Sequence, residues 1–118
     1  MSQSIQAEAG QYLFVYGTLA PGEVNAHVLE PLKGSWQPAT IRGTLHPEGW
    51  GASYGFPAMR LDENAEHVQG LLFTAPGLED HWPMLDEFEG DAYKRVAAMA
   101  TLADGLTVTT QIYVLNEG

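Results

Sequence analysis

Glu89 is a carboxylate on the wrong side of its own helix. In the segment Met84-Leu85-Asp86-Glu87-Phe88-Glu89-Gly90, a helical advance of about 100° per residue puts Trp82, Met84, Leu85 and Phe88 on one broad apolar arc. Asp86 and Glu87 project away from that arc, as a solvated face requires. Glu89 follows Trp82 by seven residues and Leu85 by four, so it points nearly where those two side chains point. A carboxylate aimed into apolar surroundings has its pKa raised by desolvation. The negative end of the helix dipole pushes the same way. A group tuned like this can take and return a proton near neutral pH, which is general acid/base chemistry. A last turn that frays into water would remove that chemistry, and so would an ion pair with Lys94 or Arg95.

The second element with chemical content is Tyr16-Gly17-Thr18-Leu19, which ends the run Tyr12-Leu13-Phe14-Val15-Tyr16. A glycine here lets the backbone turn sharply and present successive N–H groups as a small anion-binding nest. Such a nest suits a carboxylate ligand and needs no Lys or Arg. Taken alone, a strand followed by Gly-Thr is also an ordinary turn. It is not a P-loop, since no GxxxxGK[ST] pattern follows. His27, His46, His67 and His81 lack metal-ligand spacing and read as surface or strand residues. No serine sits in a Gly-x-Ser-x-Gly elbow. The absence of cysteine excludes a thiolate nucleophile, a disulfide framework and a Cys-based zinc site. No cofactor motif is present, and neither a cofactor nor a metal is expected.

Charge narrows the partners. The chain has 118 residues, 5 Lys and Arg against 15 Asp and Glu, and a formal charge of −10. That field repels nucleic-acid backbones and anionic membranes, both of which are bound through clustered cations. Trp36, Trp50 and Trp82 therefore read as packing residues and not as base-stacking platforms. An anionic small molecule has to be held by local donors against the global field. An apolar share of 45% is that of a globular chain, and no run approaches the roughly 20 apolar residues that span a bilayer. Residues 1–10 are polar, without a basic leader or an apolar signal core. They are expected to form a flexible tail before a single domain over 11–118, with the cytoplasm as the simplest compartment.

The elements that must position these groups follow from periodicity and punctuation. Residues 12–16 read as a buried strand ended by Gly17. Asn25 is placed to cap a short helix through Leu32. Weaker strand segments occur over 39–45 and 58–61, separated by a loop rich in Gly49, Gly51, Gly55 and Pro57 with Trp50 and Tyr54. Residues 67–74 form a clear strand in which Gly70 marks a bulge or a close approach. Asp80 reads as the N-cap of the helix bearing Glu89, Pro83 fits its first turn, and Gly90 stops it. Residues 93–102 and 106–115 are strands joined through Asp104-Gly105, a strong hairpin signal. Mostly strands with two helices inserted argue for an α+β fold on a largely antiparallel or mixed sheet.

The ordered set Tyr16-Gly17-Thr18-Leu19, then Leu85-Asp86-Glu87-Phe88-Glu89-Gly90, then Tyr93 and Arg95, resembles the gamma-glutamylcyclotransferase superfamily in its AIG2-like branch. The resemblance runs from Tyr12 to Tyr113 and includes Gly43-Thr44-Leu45, Phe56-Pro57-Ala58 and Gly70-Leu71-Leu72-Phe73. It implies a mixed β-barrel flanked by short helices. It also implies that Tyr16, Gly17, Thr18 and Leu19 bind a substrate α-carboxylate, that Glu89 is catalytic, and that Tyr93 and Tyr113 line the pocket. The implied activity cyclises a γ-glutamyl amine or γ-glutamyl amino acid to 5-oxoproline and frees the amine. A non-catalytic module that binds a small carboxylate on the same fold is the alternative. In place of the family's commoner Tyr-Pro this chain has Phe56-Pro57, which removes a hydroxyl.

Overall fold

The computed structural model describes residues 11–47 and 55–116. Six strands and one α-helix follow in the order β1 (Leu13–Val15), β2 (Ser35–His46), β3 (Ala58–Leu61), β4 (His67–Thr74), α1 (Trp82–Glu89), β5 (Tyr93–Leu102) and β6 (Thr107–Leu115). Strand neighbours run β3-β2-β4-β1-β6-β5, and a further pairing of β2 with β5 closes the circuit. The result is a five-stranded mixed β-barrel with β3 extending one end of β2. All pairings are antiparallel except β1 with β6, where Leu13 lies beside Gln111 and Phe14 beside Ile112.

Strand β1 explains its own composition. Side chains alternate across a strand, so a run that is apolar at every position must be covered on both faces. Phe14 points into the barrel with Ile41, Met59, Leu72 and Ile112. Leu13 and Val15 point outward, under a layer made by Leu29, Leu78, Trp82 and Leu85. The outer layer is what anchors α1. Leu85 is fully buried and Trp82 nearly so, whereas Met84 is exposed and packs outside the apolar arc assigned to it.

The termini of the elements depart from the sequence reading in informative ways. No regular α-helix forms between Asn25 and Leu32; two successive 3-10 turns, Ala26–Val28 and Glu30–Leu32, take its place, meeting at Leu29, with Pro31 in the first positions of the second. Asn25 makes no side-chain cap. Asp80 is likewise not the cap of α1, because it lies within a 3-10 turn, Leu78–His81, that precedes the helix. Pro83 does sit in the first turn, and Gly90 ends the helix with a positive φ of 78°. The strand expected over 39–45 is longer, since Pro38 is accommodated opposite Leu71 before β5 joins at Ala39. The hairpin at Asp104-Gly105 forms, with Gly105 at φ 91° and Asp104 Oδ1 accepting from the Leu106 N–H at 3.0 Å. Residues 1–10 and most of the glycine-rich loop, residues 48–54, lie outside the described residues.

Gly70 is a close-approach point. A Cβ there would lie 2.5 Å from the Phe14 ring and 2.8 Å from the Val15 carbonyl oxygen. One of those atoms is backbone in a paired strand, so it cannot swing aside. Gly70→Ala is expected to lower stability by about 1–3 kcal/mol through overpacking, read as a lower urea midpoint with an unchanged slope. An unchanged midpoint would contradict this packing of β4 on β1.

Candidate functional site

Where β1 runs out of the barrel, its last residues and the segment that follows meet the C-terminal end of α1. A cavity of about 310 Å³ opens there, and Tyr16, Gly17, Thr18, Leu19, Glu89, Tyr93 and Tyr113 all line it. The residues singled out in the sequence are thus brought to one place, although they span most of the chain. Phe56, Pro57, Phe88 and Asn25 complete much of the wall.

The turn is held from below and left open above. The Gly17 carbonyl accepts from the Ala20 N–H at 3.2 Å, and the Thr18 carbonyl accepts from the Asn25 N–H at 2.9 Å. Asn25 Nδ2 also donates to Thr18 Oγ1 at 2.9 Å, so this side chain braces the turn where the sequence suggested a helix cap. Among the described residues, no backbone carbonyl accepts from the N–H groups of Gly17, Thr18 or Leu19. Uncommitted amides in succession are what an anion-binding turn requires. Gly17 makes this turn without a positive φ. Pro57 packs over Gly17, with its side chain 3.4 Å from where a Cβ would be, an ordinary contact distance.

Glu89 is half-buried at the last position of α1. Among the described residues it has neither a hydrogen-bond donor nor a cation beside it. Burial pushes its carboxyl up from 4.5 to about 7. The ion pair with Arg95 weighed in the sequence goes to a different carboxylate. Arg95 Nε donates to Asp86 Oδ1 at 2.8 Å and Nη2 to Asp86 Oδ2 at 3.2 Å, a two-pronged contact. Arg95 Nη1 reaches Gln111 Oε1 at 2.9 Å, and the guanidinium lies 4.7 Å from the centre of the Trp82 ring. The Arg95 hydrogen bonds hold the Asp86 carboxyl below the usual carboxylate range, with help from Tyr113.

Asp86 therefore does more than face solvent. Its Oδ1 also accepts from the Tyr113 hydroxyl at 2.7 Å, tying α1 to β5 and β6 beside the cavity. Tyr113 in turn offers its carbonyl oxygen to the Tyr16 hydroxyl at 2.6 Å. The Tyr93 hydroxyl donates to the Pro57 carbonyl at 2.5 Å. All three tyrosines present ring surface to the cavity while their hydroxyls serve the wall. Burial, above all, pushes the Tyr16 and Tyr113 hydroxyls far above their ordinary range, and the nearby Glu89 charge adds to the effect at both. Neither is a source of protons at neutral pH.

Helical periodicity alone does not identify Asp86 as a wall-building residue, because its partners lie 9 and 27 positions away. Phe88 was assigned to the buried arc. It instead lies at the cavity mouth with 41% of its surface exposed. Phe56 was legible only as part of a family-like segment.

A five-stranded mixed barrel with a carboxylate and a free-amide turn in one pocket defines a compact fold class. Residues 13–118 match the family model for gamma-glutamyl cyclotransferase, AIG2-like, and the chain belongs to that family. No curated protein matches the sequence. Among solved structures, YkqA from Bacillus subtilis is 27% identical with a TM-score of 0.67 over 90% of this chain, which spans only 36% of YkqA. An AIG2-like protein from Mus musculus is 20% identical with a TM-score of 0.71, covering 92% of this chain and 78% of its own. A gamma-glutamyl cyclotransferase is 15% identical with a TM-score of 0.66, covering 89% and 66% respectively. At these identities the last two establish the shared fold alone. No helix among the described residues is long and apolar enough to cross a membrane.

Proposed function

We propose that the protein is a cyclotransferase that converts a γ-glutamyl amine or γ-glutamyl amino acid to 5-oxoproline and the free amine. The observation that carries this reading is the meeting of Glu89 with the uncommitted amides of Gly17, Thr18 and Leu19 on one small cavity. The turn receives the substrate α-carboxylate, and Glu89 faces the α-ammonium.

The reaction asks little of the protein in covalent terms. Glu89 takes one proton from the α-ammonium, and the freed amine attacks the γ-carbonyl carbon of the same molecule. The new C–N bond closes the five-membered ring, and the bond to the departing nitrogen breaks. Two protons pass in all from the attacking to the leaving nitrogen, and no water is consumed. Glu89 with a pKa near 7 suits both halves of that transfer. Binding both ends of the glutamyl group supplies the proximity that ring closure needs, and unfilled turn amides can steady the oxyanion.

The test is incubation with a panel of γ-glutamyl amines and dipeptides, with 5-oxoproline as the readout. Release from at least one member is expected. Members that bind without reacting, and lose binding when the turn is altered, would establish a non-catalytic carboxylate-binding module instead.

A further inference from the structure

We propose that Asp86 is a positioning residue for Glu89: it holds the Arg95 guanidinium away from the carboxylate that must stay free to accept a proton. The kinetic side of this inference rests on the cyclotransferase reading of the cavity; the electrostatic side does not.

Two carboxylates compete for one cation at the end of α1. The Gly90 N–H donates to the Asp86 carbonyl at 3.1 Å, so the last turn is closed and helical up to Glu89. Residues three apart on a helix are neighbours, about 5–6 Å between Cβ atoms. Arg95 comes from β5 on the same face as Tyr93, whose ring lines the cavity with Glu89. A long side chain rising there has both carboxylates within its range. Asp86 takes it by both oxygens, at 2.8 and 3.2 Å, and Gln111 takes Nη1 at 2.9 Å. The Trp82 ring lies against the guanidinium at 4.7 Å. The Tyr113 hydroxyl, donating at 2.7 Å, fixes the Asp86 carboxylate in turn. The cavity wall includes neither Asp86 nor Arg95.

Nothing else that faces Glu89 replaces this cation. Tyr16 from the end of β1, Tyr93 from β5 and Tyr113 from β6 share the cavity with it, and their hydroxyls donate to carbonyls or to Asp86. The Phe56-Pro57 segment brings no charge. Lys94 lies on the opposite face of β5 from Arg95, and Glu87 and Asp91 are exposed. Arg95 is therefore the cation that decides the state of Glu89. Paired with Arg95, Glu89 would be a carboxylate with a depressed pKa and a poor base near neutral pH. With Arg95 on Asp86, burial is left to set the Glu89 carboxyl.

Asp86→Asn tests this, because the amide oxygen still accepts from Tyr113 while the charge that holds Arg95 is gone. The Asp86 side chain is 44% exposed, so the variant is expected to fold; Asp86→Ser gives the same comparison if it does not. The Glu89 pKa, followed by carbon NMR titration, should fall by about one unit or more in D86N. The kcat for 5-oxoproline release at neutral pH should drop roughly tenfold. Adding Arg95→Met to D86N should return both toward the wild type, since no released cation remains. An unmoved Glu89 titration in folded D86N would overturn the inference. So would a loss of kcat that the second substitution fails to restore, which is the behaviour of a residue that only supports the fold. If no γ-glutamyl compound reacts but the titrations shift and recover as stated, the pairing role stands and the cyclotransferase reading falls.

Discussion

Replacing Glu89 with glutamine should lower turnover of a γ-glutamyl substrate by roughly 10²- to 10⁴-fold, the range for loss of a general base. Gln keeps the size of the side chain and most of its hydrogen-bonding capacity but cannot accept the ammonium proton. Substrate affinity should survive, because the α-carboxylate is assigned to the amides of Gly17, Thr18 and Leu19. Glu87→Gln provides the contrast: it lies on the exposed face of the same helix and should change kcat little. Steady-state kinetics on both variants, with calorimetric binding on E89Q, separates the cases. Wild-type turnover by E89Q would refute the mechanism, and a loss of binding equal to the loss of rate would assign Glu89 to recognition.

The same substitution should stabilise the protein at alkaline pH. Glu89 has a folded-state pKa near 7 against an ordinary 4.5, caused by burial. Between those values the folded state holds a proton that the unfolded state has released, so stability falls as pH rises. The favourable contribution is complete below about 4.5 and gone once pH passes about 7. The full difference is about 3 kcal/mol at one pKa unit per 1.36 kcal/mol. E89Q does not ionise. It should therefore exceed the wild type by up to about 3 kcal/mol at pH 8, with the gap closing below pH 4.5. Urea unfolding of both proteins across pH 4 to 8 measures this, and parallel curves would show that the carboxylate is well solvated. Opposite signs in rate and stability would mark a group strained for its task.

Much of the fold is readable along the chain because strands announce themselves locally. The uninterrupted apolar run at 12–16 requires cover on both faces, and the barrel interior and the outer layer supply it through Phe14 on one side and Leu13 and Val15 on the other. Gly70 is legible as a close approach because a glycine inside a strand leaves a gap that something must fill. Helix starts are less legible. Asn25 and Asp80 both have cap chemistry, yet Asn25 is used to brace Thr18 and Asp80 falls in a 3-10 turn. Short polar side chains bond equally well to several local partners, and packing decides among them.

The candidate site divides along the same line. Helical period alone sets Glu89 on the side of Trp82 and Leu85, and glycine after a buried strand marks the turn, so both were present in the order of residues. Only the tertiary structure decided that Arg95 pairs with Asp86 and not with Glu89, because that choice depends on where β5 passes the helix. It alone decided that Tyr16, Tyr93 and Tyr113 turn their hydroxyls into the wall, and that Phe56 and Phe88 stand at the mouth. Periodicity reports which way a side chain points from its own element; what it meets there is set by strands that lie far away in sequence.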